Sequence, residues 1–222
     1  MIKQASVMSR SPKAQPYYEV TASLLNSWQR IFDAAEWARE SEDKSLEQAQ
    51  EEAMESAKAE FIDVLSRKPI PDTEAMKKGR EYEESVYKGE DIVFSEVVEN
   101  GEFQAAYKKP VNISGMNIML YGILDCLKAG RIYDIKRVGY YQSRKYKGSH
   151  QHPMYFELVP NAIDFTYLVC DDKGVHHFER YERCNCEDVK DVVAQFLSWL
   201  EANDLMQTFK EKWDWGRKKH RI

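Results

Sequence analysis

Gly122-Ile-Leu-Asp125-Cys-Leu-Lys-Ala-Gly-Arg-Ile-Tyr-Asp134-Ile-Lys136 reads as a β-hairpin that carries two carboxylates and a lysine toward one point. With a two-residue turn at Ala129-Gly130, Lys128 pairs with Arg131 and, counting outward, Asp125 falls opposite Asp134. Lys136 lies two residues on and shares their face. Like charges across a ladder repel and weaken it unless something positive sits between them. A divalent cation with oxygen ligands is the natural third party.

Around this hairpin the sequence reads as one α+β unit. Leu24, Leu25, Trp28, Ile31 and Phe32 recur at helical spacing after Thr21, a good N-cap, so a first amphipathic helix is expected there. A second, strongly charged helix spans 43 to 66, and Pro69 and Pro71 stop it. Asp72 or Thr73 then caps a third helix running to about Lys88. Three strands follow at 102 to 112, 116 to 128 and 131 to 138, rich in Val, Ile, Tyr and Phe. A basic, Tyr-rich connector leads to a helix beginning near Gln151. A hairpin at 162 to 170 and 175 to 182 and a helix at 187 to 201 complete the order ααα-βββ-α-ββ-α. That order fits a mixed central sheet flanked by helices.

A chain of 222 residues is most simply one domain with a sizeable core. Residues 1 to 18 are polar and read as a flexible lead-in, with the domain at 19 to 222. No apolar run suggests a signal peptide or a membrane span, so a cytoplasmic protein is expected. The cysteines at 126, 170, 184 and 186 contain no C-x-x-C pair, which argues for free thiols rather than a zinc ribbon or an iron–sulfur cluster. His176 and His177 lack a spaced partner and read as poor ligands.

The net charge of −5 argues at first sight against a nucleic-acid partner. Its distribution does not. Acid concentrates at 36 to 60 and 187 to 191, whereas Lys136-Arg137, Arg144-Lys-Tyr-Lys147 and Arg217-Lys-Lys-His-Arg221 form basic clusters. Tyr140, Tyr141 and Tyr146 interleave with Arg144, Lys145 and Lys147. Such a mixture suits base stacking beside phosphate tracking, or else a surface loop whose aromatics tuck into the core. Trp213 and Trp215 either contact DNA or pin the C-terminus to the body.

The Asp125, Asp134-Ile-Lys136 pattern resembles the signature of the PD-(D/E)XK nuclease superfamily. Gln151-His-Pro-Met-Tyr155 resembles the Q-x-x-x-Y motif of its RecB-like, Cas4-like and phage-exonuclease branch, and Gly79-Arg-Glu-Tyr-Glu83 resembles that branch's upstream helix motif. All three occur in family order. The resemblance implies a restriction-endonuclease-like core and a Mg²⁺- or Mn²⁺-dependent DNA exonuclease acting on linear ends in recombination, repair or phage DNA processing. It further implies a metal held by Glu83, Asp125, Asp134 and the Ile135 carbonyl, with Glu84 as the fallback for Glu83. Lys136 would orient or deprotonate water, while Gln151 and Tyr155 look toward the metal centre and DNA backbone. Arg137, Tyr140, Arg144, Lys145 and Lys147 are the DNA-binding candidates. Some relatives form rings around DNA, so a homo-oligomeric ring and a recombination partner protein are also expectations. The alternatives are a structure-specific endonuclease and a non-catalytic DNA-binding accessory subunit.

Overall fold

The computed structural model describes residues 15–39 and 45–220. Most of the expected lead-in, residues 1 to 14, lies outside the described residues. Tyr18, its last residue, belongs to a short strand, β1 (Tyr18–Thr21), which the sequence reading did not anticipate. The chain then follows α1 (Ala22–Trp37), α2 (Leu46–Leu65), α3 (Glu74–Tyr87), α4 (Ile92–Val98), β2 (Glu102–Ile113), β3 (Met116–Lys128) and β4 (Arg131–Val138). It continues through α5 (Gln151–Leu158), β5 (Asp164–Asp171), β6 (His176–Tyr181), α6 (Val189–Ala202) and α7 (Met206–Lys212). The result is an α+β fold whose mixed six-stranded sheet is flanked by helices, consistent with a restriction-endonuclease-like core.

Local chemistry explains the helix starts. Thr21 caps α1 by accepting from the Leu24 N–H at 3.2 Å, and Thr73 caps α3 by accepting from Met76 at 3.2 Å. Ser45 and Gln48 close a reciprocal capping box at the start of α2. Two helices were missed, α4 and α7. Each has seven residues, too few for a 3.6-residue period to declare itself.

Strand β3 organises the sheet. Antiparallel β2 runs along one edge from Met116 to Leu127. The opposite edge is shared: parallel β1 takes residues 118 to 121, and antiparallel β4 takes 126 to 128. Residues 122 to 125 are therefore left without a strand partner on that edge. Beyond β4 the sheet continues through parallel β5 and antiparallel β6.

Helices cover both faces. A large core beneath α1, α2, α5, α6 and α7 includes Trp28, Phe61, Phe165, Phe196 and Phe209. A smaller one beneath α3 and α4 gathers Val86, Phe94, Val98, Cys126, Ile135, Leu168 and Cys170. The C-terminal segment lies along β1: the Trp213 carbonyl accepts from Glu19 N–H at 2.7 Å, and Trp215 N–H donates to Tyr17 O at 2.8 Å. An exposed strand edge is thus covered by the chain's own tail.

Candidate active site

The unpaired stretch of β3 between its two edge partners is where the motif residues meet. The turn is the expected one: Ala129 and Gly130 both adopt positive φ, 49° and 75°, as a type I′ hairpin turn requires, and Lys128 pairs with Arg131. The ladder runs back only as far as Cys126 and Tyr133. One rung further, the Asp125 side chain replaces main-chain pairing, its Oδ2 accepting from the Ile135 N–H at 2.9 Å. N–H and C=O of one strand residue point to the same edge, so the Ile135 carbonyl faces this gap too.

Asp125 also marks a change of face. Leu124 lies in the large core and Cys126 in the small one, although strict alternation would put residues two apart on the same side. The reversal coincides with Gln104, which stands opposite Asp125 in the β2 register and has a left-handed φ of 52°. Phe103, before this kink, packs on Tyr87 of α3, whereas Tyr107, beyond it, packs against the large core. Both strands switch sides together, which lets groups from opposite faces of the sheet reach one gap.

From the α3 side comes Glu83. The Tyr87 hydroxyl donates to its Oε1 at 2.5 Å and lies 3.2 Å from the Asp125 carbonyl, and Gln104 Nε2 donates to the same Oε1 at 2.5 Å. Glu84 instead points outward, exposed and paired with Lys88 at 2.8 Å. Of the two, Glu83 is the carboxylate that reaches the gap. Sequence reading missed Gln104 and Tyr87; Tyr87, one helical turn after Glu83, could have been noticed, but Gln104 becomes visible only once β2 is registered against β3.

From the α5 side come Gln151 and Tyr155. The Gln151 amide donates to Asp134 Oδ1. The Tyr155 hydroxyl donates to the Ile123 carbonyl at 2.8 Å, satisfying a group in the unpaired stretch of β3. Gly122 makes room for it, because a Cβ there would fall 2.5 Å from the Tyr155 ring. His152, between them, faces the core and stacks on Tyr181. Lys136, Gln151, Tyr155, Gly122 and Ile123 line a cleft of ≈ 390 Å³ with Ser23 and Asn26 from the first turns of α1.

Asp134 is 1 % exposed, and its buried Oδ2 has the Lys136 ammonium at 2.6 Å and no other partner. Burial raises the Asp134 pKa against the opposing pull of Lys136 and Gln151. Burial also lifts Asp125 well above the ordinary carboxylate range, helped by the charges of Asp134 and Glu83 and resisted by Lys136. For Lys136, burial pulls downward, but the negative charges of Asp134 and Asp125 prevail and hold it above its usual value. Without a bound cation, Lys136 is thus a protonated donor rather than a base. Acid is in excess here, and the excess is what a cation would neutralise. Among the described residues, Glu83, Asp125 and Asp134 are not drawn within 4.8 Å of one another as a trio; the group that is comprises Asp91, Cys170 and His176, elsewhere on the sheet.

The remaining candidates divide. Arg137 points to the opposite face from Lys136, where it meets Asp172 at 3.1 Å and the Asp171 carbonyl. It helps hold the end of β4 to β5. Arg144, Lys145 and Lys147 are exposed, and Tyr140 is 72 % exposed. Tyr146 stacks on buried Tyr167, and Tyr141 stacks on His177 and donates to Glu179. Those two aromatics anchor the connector and leave its cations outside. Trp213 is buried, and Trp215 packs on Tyr121. Both pin the C-terminus.

No family model and no curated protein sequence matches this chain. Several solved structures are similar, two of them as follows. SSO0001 aligns with a TM-score of 0.43 and 16% identity over 86% of this chain and 79% of that one. A chain named "Putative exonuclease" from Eubacterium rectale aligns with a TM-score of 0.43 and 13% identity over 94% of this chain and 88% of that one. Likeness at that level shows nothing about activity, so the functional reading rests on the side chains described above.

Proposed function

We propose that this chain is a metal-dependent nuclease that hydrolyses phosphodiester bonds in DNA, acting from linear ends. The observation that carries the reading is the meeting of Glu83, Asp125, Asp134, Lys136 and Gln151, from α3, β3, β4 and α5, at the stretch of β3 left unpaired between β1 and β4. A purely structural role is a poor account of it. Buried like charges raise each other's pKa and weaken the fold, a cost expected where ionisable groups serve a function.

The donor set fits a hard cation such as Mg²⁺ or Mn²⁺: carboxylates, a backbone carbonyl aimed at the same gap, and a buried Asp134 oxygen whose only partner is Lys136. Such an ion, when bound, supplies Lewis acidity toward a phosphate oxygen and favours hydroxide over water at neutral pH. Asp125 and Asp134 would hold it, with Glu83 completing its outer side. The rest is done by the chain. Gln151 keeps Asp134 in one orientation by occupying Oδ1, and Gln104 and Tyr87 do the same for Glu83. Lys136, a cation at the cleft, orients the attacking water and stabilises negative charge growing on the phosphate. Tyr155 shapes the cleft floor.

The deciding experiment incubates pure protein with end-labelled linear and closed circular DNA, with Mg²⁺, Mn²⁺, Ca²⁺ or excess chelator. Cleavage of linear DNA is expected with Mg²⁺ or Mn²⁺, and none with Ca²⁺ or chelator. Full cleavage in chelator would reject the metal mechanism; cleavage of closed circles would convert the reading to an endonuclease.

DNA is expected to approach along the connector between β4 and α5. Arg144 and Lys147 line a second cleft of ≈ 950 Å³, though Glu179, Glu182 and Glu187 share it. Replacing Arg144, Lys145 and Lys147 together by alanine should weaken binding similarly for all sequences. It should also reduce the slope of log affinity against log salt by about 2 to 3. An unchanged affinity and slope in a salt titration would remove the connector from the DNA path.

A further inference from the structure

Tyr82, Asp91, Cys170 and His176 converge on the sheet face covered by α3 and α4, opposite Gln151 and Lys136. Asp91 Oδ2, Cys170 Sγ and His176 Nε2 all lie within 4.8 Å of one another. They come from three elements. Asp91 is the N-cap of α4, where Oδ1 accepts from the Phe94 N–H at 3.1 Å and leaves Oδ2 turned toward the sheet. Cys170 on β5 and His176 on β6 are partners in the strand register, so their side chains share a face. Phe94 holds the His176 ring edge-on at 4.6 Å.

We propose that this cluster is a second, structural cation site, selective for Zn²⁺ or a similar borderline-soft dication. Sulfur, imidazole nitrogen and a single carboxylate oxygen suit Zn²⁺, whereas Mg²⁺ takes oxygen ligands like those proposed around Asp125. One thiolate and one carboxylate balance the two positive charges, and the thiol proton leaves to solvent on binding. The Tyr82 hydroxyl donates to Asp91 Oδ2 at 2.5 Å, so that hydroxyl or a water would complete the set. Cys170 Sγ already serves as an acceptor to a cation, the Arg137 guanidinium at 3.2 Å. A dication would displace that contact, and Arg137 would keep its ion pair with Asp172 at 3.1 Å. The side chains of Asp91 and His176 are 12% and 23% exposed, which gives an ion an entry path.

The site's use follows from its position. It clips the start of α4, just beyond the end of α3, to β5 and β6. Among the described residues, the small core beneath these two helices has seven buried members. Glu83 sits on α3, so a clip there would steady one wall of the active-site gap, although the proposal stands without the nuclease reading.

The test titrates Co²⁺ into the metal-free protein as a spectroscopic stand-in for Zn²⁺. One equivalent is expected to produce a thiolate-to-cobalt charge-transfer absorption that Zn²⁺ abolishes and Mg²⁺ does not. The band should survive Asp134→Asn, vanish in Cys170→Ser, and need at least about tenfold more Co²⁺ in His176→Gln. Circular dichroism checks each variant's fold, and His176→Gln decides alone if Cys170→Ser does not fold. Cobalt binding without a thiolate band, a band that persists in Cys170→Ser through Cys184 or Cys186, or an unchanged titration in His176→Gln would each leave the cluster a hydrogen-bond network and overturn the proposal.

Discussion

Asp125→Asn is expected to remove at least about a hundredfold of DNA hydrolysis while making the metal-free protein more stable. Both effects have one cause. In the wild-type protein the Asp125 carboxyl is raised by burial and by the charges of Asp134 and Glu83. Between the ordinary carboxylate range and that raised value, the folded state binds more protons than the unfolded chain, so stability falls as pH rises through the window. Above it the whole penalty is present. Asparagine keeps the side-chain oxygen that accepts from Ile135 N–H and removes the charge, so the gain should be on the order of 1 kcal/mol, about 2–4 °C in Tm at this length. The gain should shrink toward zero as pH is lowered into the carboxylate range. Asp134→Ala and Lys136→Ala should each remove at least about a hundredfold of rate as well. Lys136→Ala differs in stability, because it leaves buried Asp134 without its cation and should cost rather than gain. Thermal melts across pH and single-turnover cleavage measure all of this. Wild-type cleavage by Lys136→Ala would place the chemistry elsewhere.

The largest loss of stability is expected from Trp213→Ala, about 3–5 kcal/mol, or roughly 6–20 °C in Tm. The indole is buried, donates its N–H to the Leu65 carbonyl at 2.9 Å, and carries the Arg67 guanidinium 3.8 Å above its ring. Arg67 in turn donates to the Lys212 carbonyl at 2.8 Å and sits 3.6 Å from Glu19. Removing the ring therefore opens a cavity and loosens the tail that covers β1, while leaving a buried carbonyl unpartnered. Tyr140→Ala, at an exposed connector position, should stay within about 0.5 kcal/mol of wild type. Equal melting curves for the two variants would show that the tail does not hold the fold.

How much could be read beforehand depended on how local the cause was. The hairpin at Ala129-Gly130 was legible because a two-residue turn fixes its own register, and the starts of α1 and α3 were legible because their caps act over three residues. Strand β1 was not, since four residues of strand are defined only by the stretch of β3 they happen to meet. The same holds for Gln104. Nothing adjacent to it announces a left-handed residue within a strand; its place follows from the side switch it shares with Asp125. Arg137 was grouped with Lys136 because they are neighbours in sequence, yet alternation sends neighbouring strand residues to opposite faces.

The sequence by itself determined the turn that sets Lys128 opposite Arg131, the two-residue period that puts Asp134 and Lys136 on one face, and the four-residue spacing that puts Gln151 and Tyr155 on one helix face; the place of Asp125 depended on where the ladder breaks. Only the tertiary structure decided what those groups meet. Glu83 was separated from Glu84 by the packing of α3 against β4, and His176 gained Asp91 from 85 residues away through the docking of α4 on β6. Periodicity is a property of neighbours along the chain, whereas ligand sets assemble from elements whose contact is chosen by burial of the whole core, and that choice is written in no single segment.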